Sequence, residues 1–195
     1  MKFKFIEELS LNHWPSLSTL LYDGWVLRFA DGYTKRANSI SPIHDSTLDL
    51  KEKIQTCENL YFANHLPTIF KITPFVRPAH LDEMLEDMGY ALIEPTSVQI
   101  LNLDHVREPR LASAIIDHDL TPEWLEDFCR LSNVNAKYKN VMERMLSNIR
   151  TKKGFISFCH EDQVVSCGLG VIERGYIGLY DIVTDRNCRN RGFGE

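Results

Sequence analysis

The part of this 195-residue chain that could do chemistry lies near its end, in Tyr180-Asp181-Ile182-Val183-Thr184-Asp185-Arg186-Asn187-Cys188-Arg189-Asn190-Arg191-Gly192-Phe193-Gly194. An apolar strand feeds a turn with three arginines in six residues and two glycines flanking an aromatic. That combination suits a phosphate. Glycine lets the backbone come close to an anion, the N–H groups of the turn point at it, and Arg186, Arg189 and Arg191 add charge. On the strand, Tyr180 and Asp181 are the groups able to move a proton, and alternation of side chains predicts that only one of them faces a cleft. Far upstream, Arg28, Arg36 and Asn38 lie on or beside a candidate hairpin and are candidates to line a substrate cleft.

Other chemistries lack their residues. The five cysteines (Cys57, Cys129, Cys159, Cys167, Cys188) form no Cys-x-x-Cys pair, and strand alternation separates Cys159-His160 from Cys167, so neither a metal nor a disulfide framework is expected. No Gly-x-Ser-x-Gly elbow is present to carry a nucleophilic triad.

The elements that must position these residues follow from periodicity. Residues 15–22 read as a short helix, 24–30 and a run ending near Ile43 as a hairpin turning at Asp31-Gly32, and 49–65 as a helix capped by Asp49. A strand over 68–73, a helix from Leu81 to Gly89 and a strand over 96–103 come next. The polar stretch 104–119 reads as a linker between a first module, 1–103, and a second, 120–195. In the second, Thr121-Pro122 opens a helix, another covers 138–149, and strands over 154–160, 164–172 and 176–183 form a meander that delivers the arginine-glycine turn. The fold class is therefore α/β with a mixed sheet.

Composition narrows the function. Hydrophobic residues make up 44% and charged residues 25%, the balance of a globular domain, and no apolar run reaches the roughly 20 residues of a membrane helix. No export segment is visible at the N-terminus, so a cytoplasmic location is the default expectation. The net charge is −5, with 17 acidic against 11 basic residues in 1–119. Nucleic-acid binding needs a basic face and is not expected.

The turn Arg189-Asn190-Arg191-Gly192-Phe193-Gly194, after a strand and behind two helices and a meander, resembles the Arg/Gln-x-x-Gly-x-Gly/Ala motif of the GNAT superfamily of N-acetyltransferases. The resemblance implies a GNAT-like fold and acetyl-CoA as cofactor, with the pyrophosphate on Arg189, Asn190, Arg191, Gly192, Phe193 and Gly194. It places the pantetheine arm along the preceding strand at Asp181, Ile182 and Val183. The acceptor would be a primary amine of a small molecule or peptide, with Asp181 or Tyr180 as proton carrier. Residues 1–103 look like a GNAT-like module without a cofactor motif, in which the tyrosine of the family's final helix falls on Leu85. The family's later elements have no counterpart after Glu195. The resemblance thus implies a piece of a longer protein, or a missing layer supplied by 49–103 within the chain or by exchange in a homodimer. The competing reading is a non-catalytic or truncated GNAT-like binding module.

Overall fold

The computed structural model describes residues 2–104, 106 and 114–194. Helix α1 (Lys2–His13) precedes a three-stranded antiparallel sheet in the order β1 (Ser18–Tyr22), β2 (Trp25–Phe29), β3 (Ile40–Pro42). Helices α2 (Leu50–Ala63) and α3 (Leu81–Asp87) cover it. A second antiparallel sheet has the order β4 (Ala114–Asp117), β5 (Lys152–His160), β6 (Gln163–Glu173), β7 (Tyr176–Thr184), with α4 (Pro122–Ser132) and α5 (Lys139–Ser147) between β4 and β5.

Local chemistry explains most boundaries. The Asp49 carboxylate accepts from the N–H groups of Lys51 and Glu52 to start α2, and the Thr121 hydroxyl accepts from Trp124 N to start α4 with Pro122 in its first turn. Asn133, at φ 53°, ends α4 in the left-handed region. The strand turns use pairs with positive φ at both positions, Asp23-Gly24, Glu161-Asp162 and Arg174-Gly175, whose backbone twist matches that of the strands they join. At Gly24 a Cβ would come within 2.4 Å of the Asp45 carbonyl oxygen, so no other residue fits.

Several sequence expectations are corrected. Residues 18–22 are strand rather than helix, because they pair with β2 across the Asp23-Gly24 turn, while the first helix is α1. Asp31-Gly32 does turn, but into a 3-10 turn at Lys35–Ala37 before β3. The expected strand over 68–73 shrinks to a parallel bridge between Phe70 and Ile40. Residues 96–103 pair with nothing among the described residues, and Val98 and Leu101 are exposed. β4 falls inside the stretch read as a linker and pairs with β5; positions 105 and 107–113 of that stretch lie outside the described residues.

Two cores hold the molecule. Trp25, Leu27, Ile40, Ile54, Cys57, Tyr61, Leu81 and Leu85 pack between the first sheet and α2–α3. The other core joins Trp124, Phe128, Met142, Met145, Phe155 and Leu169 to Trp14, Ala30 and Ala37. The two modules therefore share apolar interior. α1 reinforces the join: Phe5 meets Tyr176 edge-on, and Asn12 Nδ2 donates to Glu173.

Candidate active site

Strand β7 is the edge of the second sheet, and its pairing with β6 breaks where the chemistry lies. Leu169 faces Tyr180 and Cys167 faces Val183, so Asp181 and Ile182 stand opposite Gly168 alone, a β-bulge with Asp181 at φ 51°. The bulge defeats strict alternation. Ile182 lies over Gly168 on the exposed face, the Tyr180 ring stacks on Trp14 with the Arg36 guanidinium carbon 5.6 Å from it, and Asp181 is near enough for its charge to act on Tyr33 and for the Arg36 charge to act on it.

Asp181 is an uncomfortable carboxylate. Its Oδ2 is buried without a hydrogen-bond partner among the described residues. Desolvation pushes its pKa up to about 7, against which the Arg36 charge pulls only partly. A carboxyl poised there can exchange a proton near neutral pH. Tyr180 has a different part. Its ring stacks on Trp14 at 5.9 Å and meets His13 edge-on, and burial raises its pKa. That leaves it a protonated wall beside Asp181.

The three upstream candidates separate. Arg28 is 3% exposed, and its guanidinium donates to the carbonyls of Arg36, Trp14 and Leu11, which ties α1 to the 28–38 arm. It borders a cleft of about 500 Å³ with Asn12, Thr19 and Arg150, away from Asp181. Asn38 is equally buried. Its Oδ1 accepts from Ala30 N at 2.7 Å and Gly32 N at 3.0 Å, and its Nδ2 donates to Thr34 O at 2.7 Å. Both therefore hold backbone: Arg28 does so while bordering that cleft, and Asn38 does so inside its own arm. Arg36 alone reaches Asp181's surroundings, with its guanidinium carbon 5.8 Å from the Trp14 ring and 5.6 Å from the Tyr180 ring.

Downstream of β7, the Asp185 carboxylate accepts from Asn187 N and starts a 3-10 turn over Arg186–Cys188. Asn190 and Gly192 then take φ of 59° and 88°. Left-handed residues in such alternation gather N–H groups into a concavity that suits an anion. Phe193 anchors it, packing with Phe158 and Val165, so its side chain is interior and only its backbone is available to a ligand. Arg189 Nε donates to Thr184 O at 3.4 Å, and Arg191 Nη2 donates to His160 Nε2 at 3.2 Å. Both arginines are exposed. A Cβ on Gly194 would approach Thr184 Oγ1 to 3.3 Å, so glycine lets the turn close on the strand end. Cationic side chains, exposed backbone and left-handed turns fit a pyrophosphate. Among the described residues no cluster of His, Cys, Asp and Glu is arranged to hold a metal, and no helix is long and apolar enough to cross a membrane.

Sequence reasoning missed Trp14 and Tyr33. Trp14 reads as ordinary core, and it is buried, yet one face carries Tyr180 and Arg36. Tyr33 donates to Met142 Sδ at 3.0 Å, and burial together with the Asp181 charge raises its pKa. Its place in a run of polar residues after a turn gave no signal of a partner about 150 residues away. His13, left without a role by its spacing, is buried with Nε2 3.4 Å from Glu173, and desolvation lowers its pKa.

The fold is mixed α/β, with a half-buried Asp181 on the bulge of an edge strand and a cationic, glycine-containing turn at that strand's end. A family model described as "Probable histone acetyltransferase Rv0428c C-terminal" matches residues 2–160, and the chain belongs to that family. The match includes Trp14, Tyr33 and Arg36 and ends before β6. The chain is also similar to the uncharacterized N-acetyltransferase YobR of Bacillus subtilis (strain 168), 25% identical over 202 residues that cover 97% of this chain and 77% of YobR. A crystal structure of a functionally unknown conserved protein from Staphylococcus epidermidis ATCC 12228 shares the fold, with a TM-score of 0.53 at 10% identity over 93% of this chain and 75% of that one.

Proposed function

We propose that this protein is an N-acetyltransferase of the GNAT type that moves the acetyl group of acetyl-CoA to a primary amine of a small molecule or peptide. The observation that carries the reading is Asp181, whose Oδ2 is buried and unpartnered among the described residues, on the bulge of an edge strand that runs directly into the arginine-glycine turn. Family membership and the likeness to YobR support acyl transfer independently.

Arg189, Asn190, Arg191, Gly192 and Gly194 would hold the pyrophosphate, the Phe193 backbone would complete the turn, and the β7 edge at Ile182 and Val183 would lie along the pantetheine arm. Acetyl-CoA would supply the acyl group already activated as a thioester, the new C–N bond replacing its C–S bond and coenzyme A leaving as a thiolate that takes up a proton. Asp181 accepts the proton that the amine must lose, and its raised pKa lets it do so and release the proton near neutral pH. Tyr180, Trp14 and Tyr33 screen that carboxyl from water, which keeps the pKa raised. Leu85 is buried in the first core and has no part in proton transfer.

The test is the thermal midpoint with and without acetyl-CoA. A ligand at a hundred times its Kd stabilises by about 2.7 kcal/mol, an upward shift of several degrees. Arg191→Glu with Gly192→Asp should abolish the shift, whereas Asp181→Asn should keep it and lose turnover. No shift in wild type, or a shift indifferent to the double variant, rejects the assignment.

A further inference from the structure

Resting on the transferase reading, the side chains around Asp181 also bear on the acceptor. Arg36 is exposed, and its guanidinium lies against the faces of Trp14 and Tyr180, the residue that precedes Asp181 in the chain. Its neighbours are committed elsewhere. Lys35 pairs with Glu94, and Arg28 is consumed by backbone carbonyls. Arg36 makes no ion pair among the described residues, although it sits close enough to Asp181 for its charge to be felt there. The guanidinium carbon is 5.8 Å from the Trp14 ring centroid and 5.6 Å from that of Tyr180, within range of a cation–π attraction that narrows the side chain's freedom.

An exposed guanidinium at the ring of Tyr180, next in the chain to the carboxyl of Asp181, is complementary to a molecule with the opposite pair of charges close together. We propose that Arg36 binds the carboxylate of the acceptor, and that the acceptor is a small zwitterionic amine of the amino-acid class, with its amino group directed to Asp181. One planar cation matches one carboxylate through two parallel N–H···O bonds, whereas a phosphate dianion is ordinarily met by several cations. A peptide N-terminus carries no carboxylate next to its amine, so peptides and amides are discriminated against.

The experiment follows coenzyme A release by the full chain with a panel of free α- and ω-amino acids, the matching amino-acid amides and short peptides. Free amino acids should exceed their amides by about 10- to 100-fold in kcat/KM, the range for losing one charge-assisted hydrogen-bonded pair. At a pH well above the Asp181 pKa, which loss of the Arg36 charge raises, Arg36→Ala should erase that preference mainly by raising KM, and Arg36→Lys should restore part of it. Equal use of acids and amides overturns the proposal, as does a preference that Arg36→Ala leaves intact. If acetyl-CoA raises the thermal midpoint but no amino acid is acetylated, the acceptor class is wrong and the transferase reading survives. If acetyl-CoA produces no rise, both fall.

Discussion

Replacing Asp181 by Asn isolates the energetic consequence of burying a carboxyl without a partner. The folded-state pKa of about 7 lies above the ordinary 3.8. Below 3.8 the group is protonated whether the chain is folded or not, and its burial costs nothing in charge. Between 3.8 and 7 the unfolded chain ionises while the folded one holds its proton, so stability falls as pH rises, and above 7 the loss levels off. Each pH unit crossed costs about 1.36 kcal/mol, hence about 2.7 kcal/mol between pH 5 and pH 8.5. Asparagine keeps the shape and tolerates the left-handed φ of 51°, but it has no charge to bury. At this chain length about 2 to 4 °C of midpoint corresponds to 1 kcal/mol. The wild-type midpoint should therefore drop, relative to Asp181→Asn, by about 5 to 11 °C between the two pH values, read by circular dichroism or calorimetry. Parallel curves for the two proteins would mean that Asp181 titrates as an ordinary carboxyl, and the case for it as proton acceptor would go with them.

The same group sets the pH dependence of turnover. Only ionised Asp181 accepts a proton, so kcat/KM should fall about tenfold per unit below pH 7 and level off above it, and Asp181→Asn should lose about 10²- to 10⁴-fold at the plateau. A flat profile from pH 5 to 8 would contradict that role. Asn38→Ala orphans the N–H groups of Ala30, buried, and Gly32, part-buried, and should cost about 2 to 6 kcal/mol in urea unfolding, at about 1 to 3 kcal/mol for each donor left unmade. A loss below about 0.5 kcal/mol would mean that water replaces the side chain.

What the sequence made legible was what is local. Thr121, Asp49 and the glycine turns announce their elements because capping and left-handed turns depend on a few adjacent residues. The meander of β5, β6 and β7 shows in runs of apolar residues separated by turn pairs. The arginine-glycine turn was legible for the same reason, and the structure gives it left-handed residues at Asn190 and Gly192. The bulge at Asp181 was not legible, because it depends on β6 offering Gly168 alone to two residues of β7. Nor were the roles of Arg28 and Asn38. Polar residues beside a strand suggest a cleft, and only tertiary packing shows that their partners are carbonyls and N–H groups of their own arm and carbonyls at the end of α1. β1 was misread because Pro15 and Gly24 punctuate 15–22 as they would a helix, and long-range pairing with β2 overrode that signal.

The division into two modules is true of the sheets and untrue of the site. Trp14 closes the core of the second module and supports both Tyr180 and Arg36, while Arg28 fixes the end of α1, and with it Trp14, through the Trp14 carbonyl. Tyr33 reaches Met142 from the arm that Asn38 pins. Trp14, Tyr33 and Arg36 thus come from the first module, and Asp181 and the arginine-glycine turn come from 180–194. If the first module moved as a separate body, Asp181 would gain water and its pKa would return toward 3.8, since desolvation is the main cause of its rise. On the proposed reading the apolar interface between the modules sets the pKa of the proton acceptor, and the polar residues buried beside it hold that interface in register.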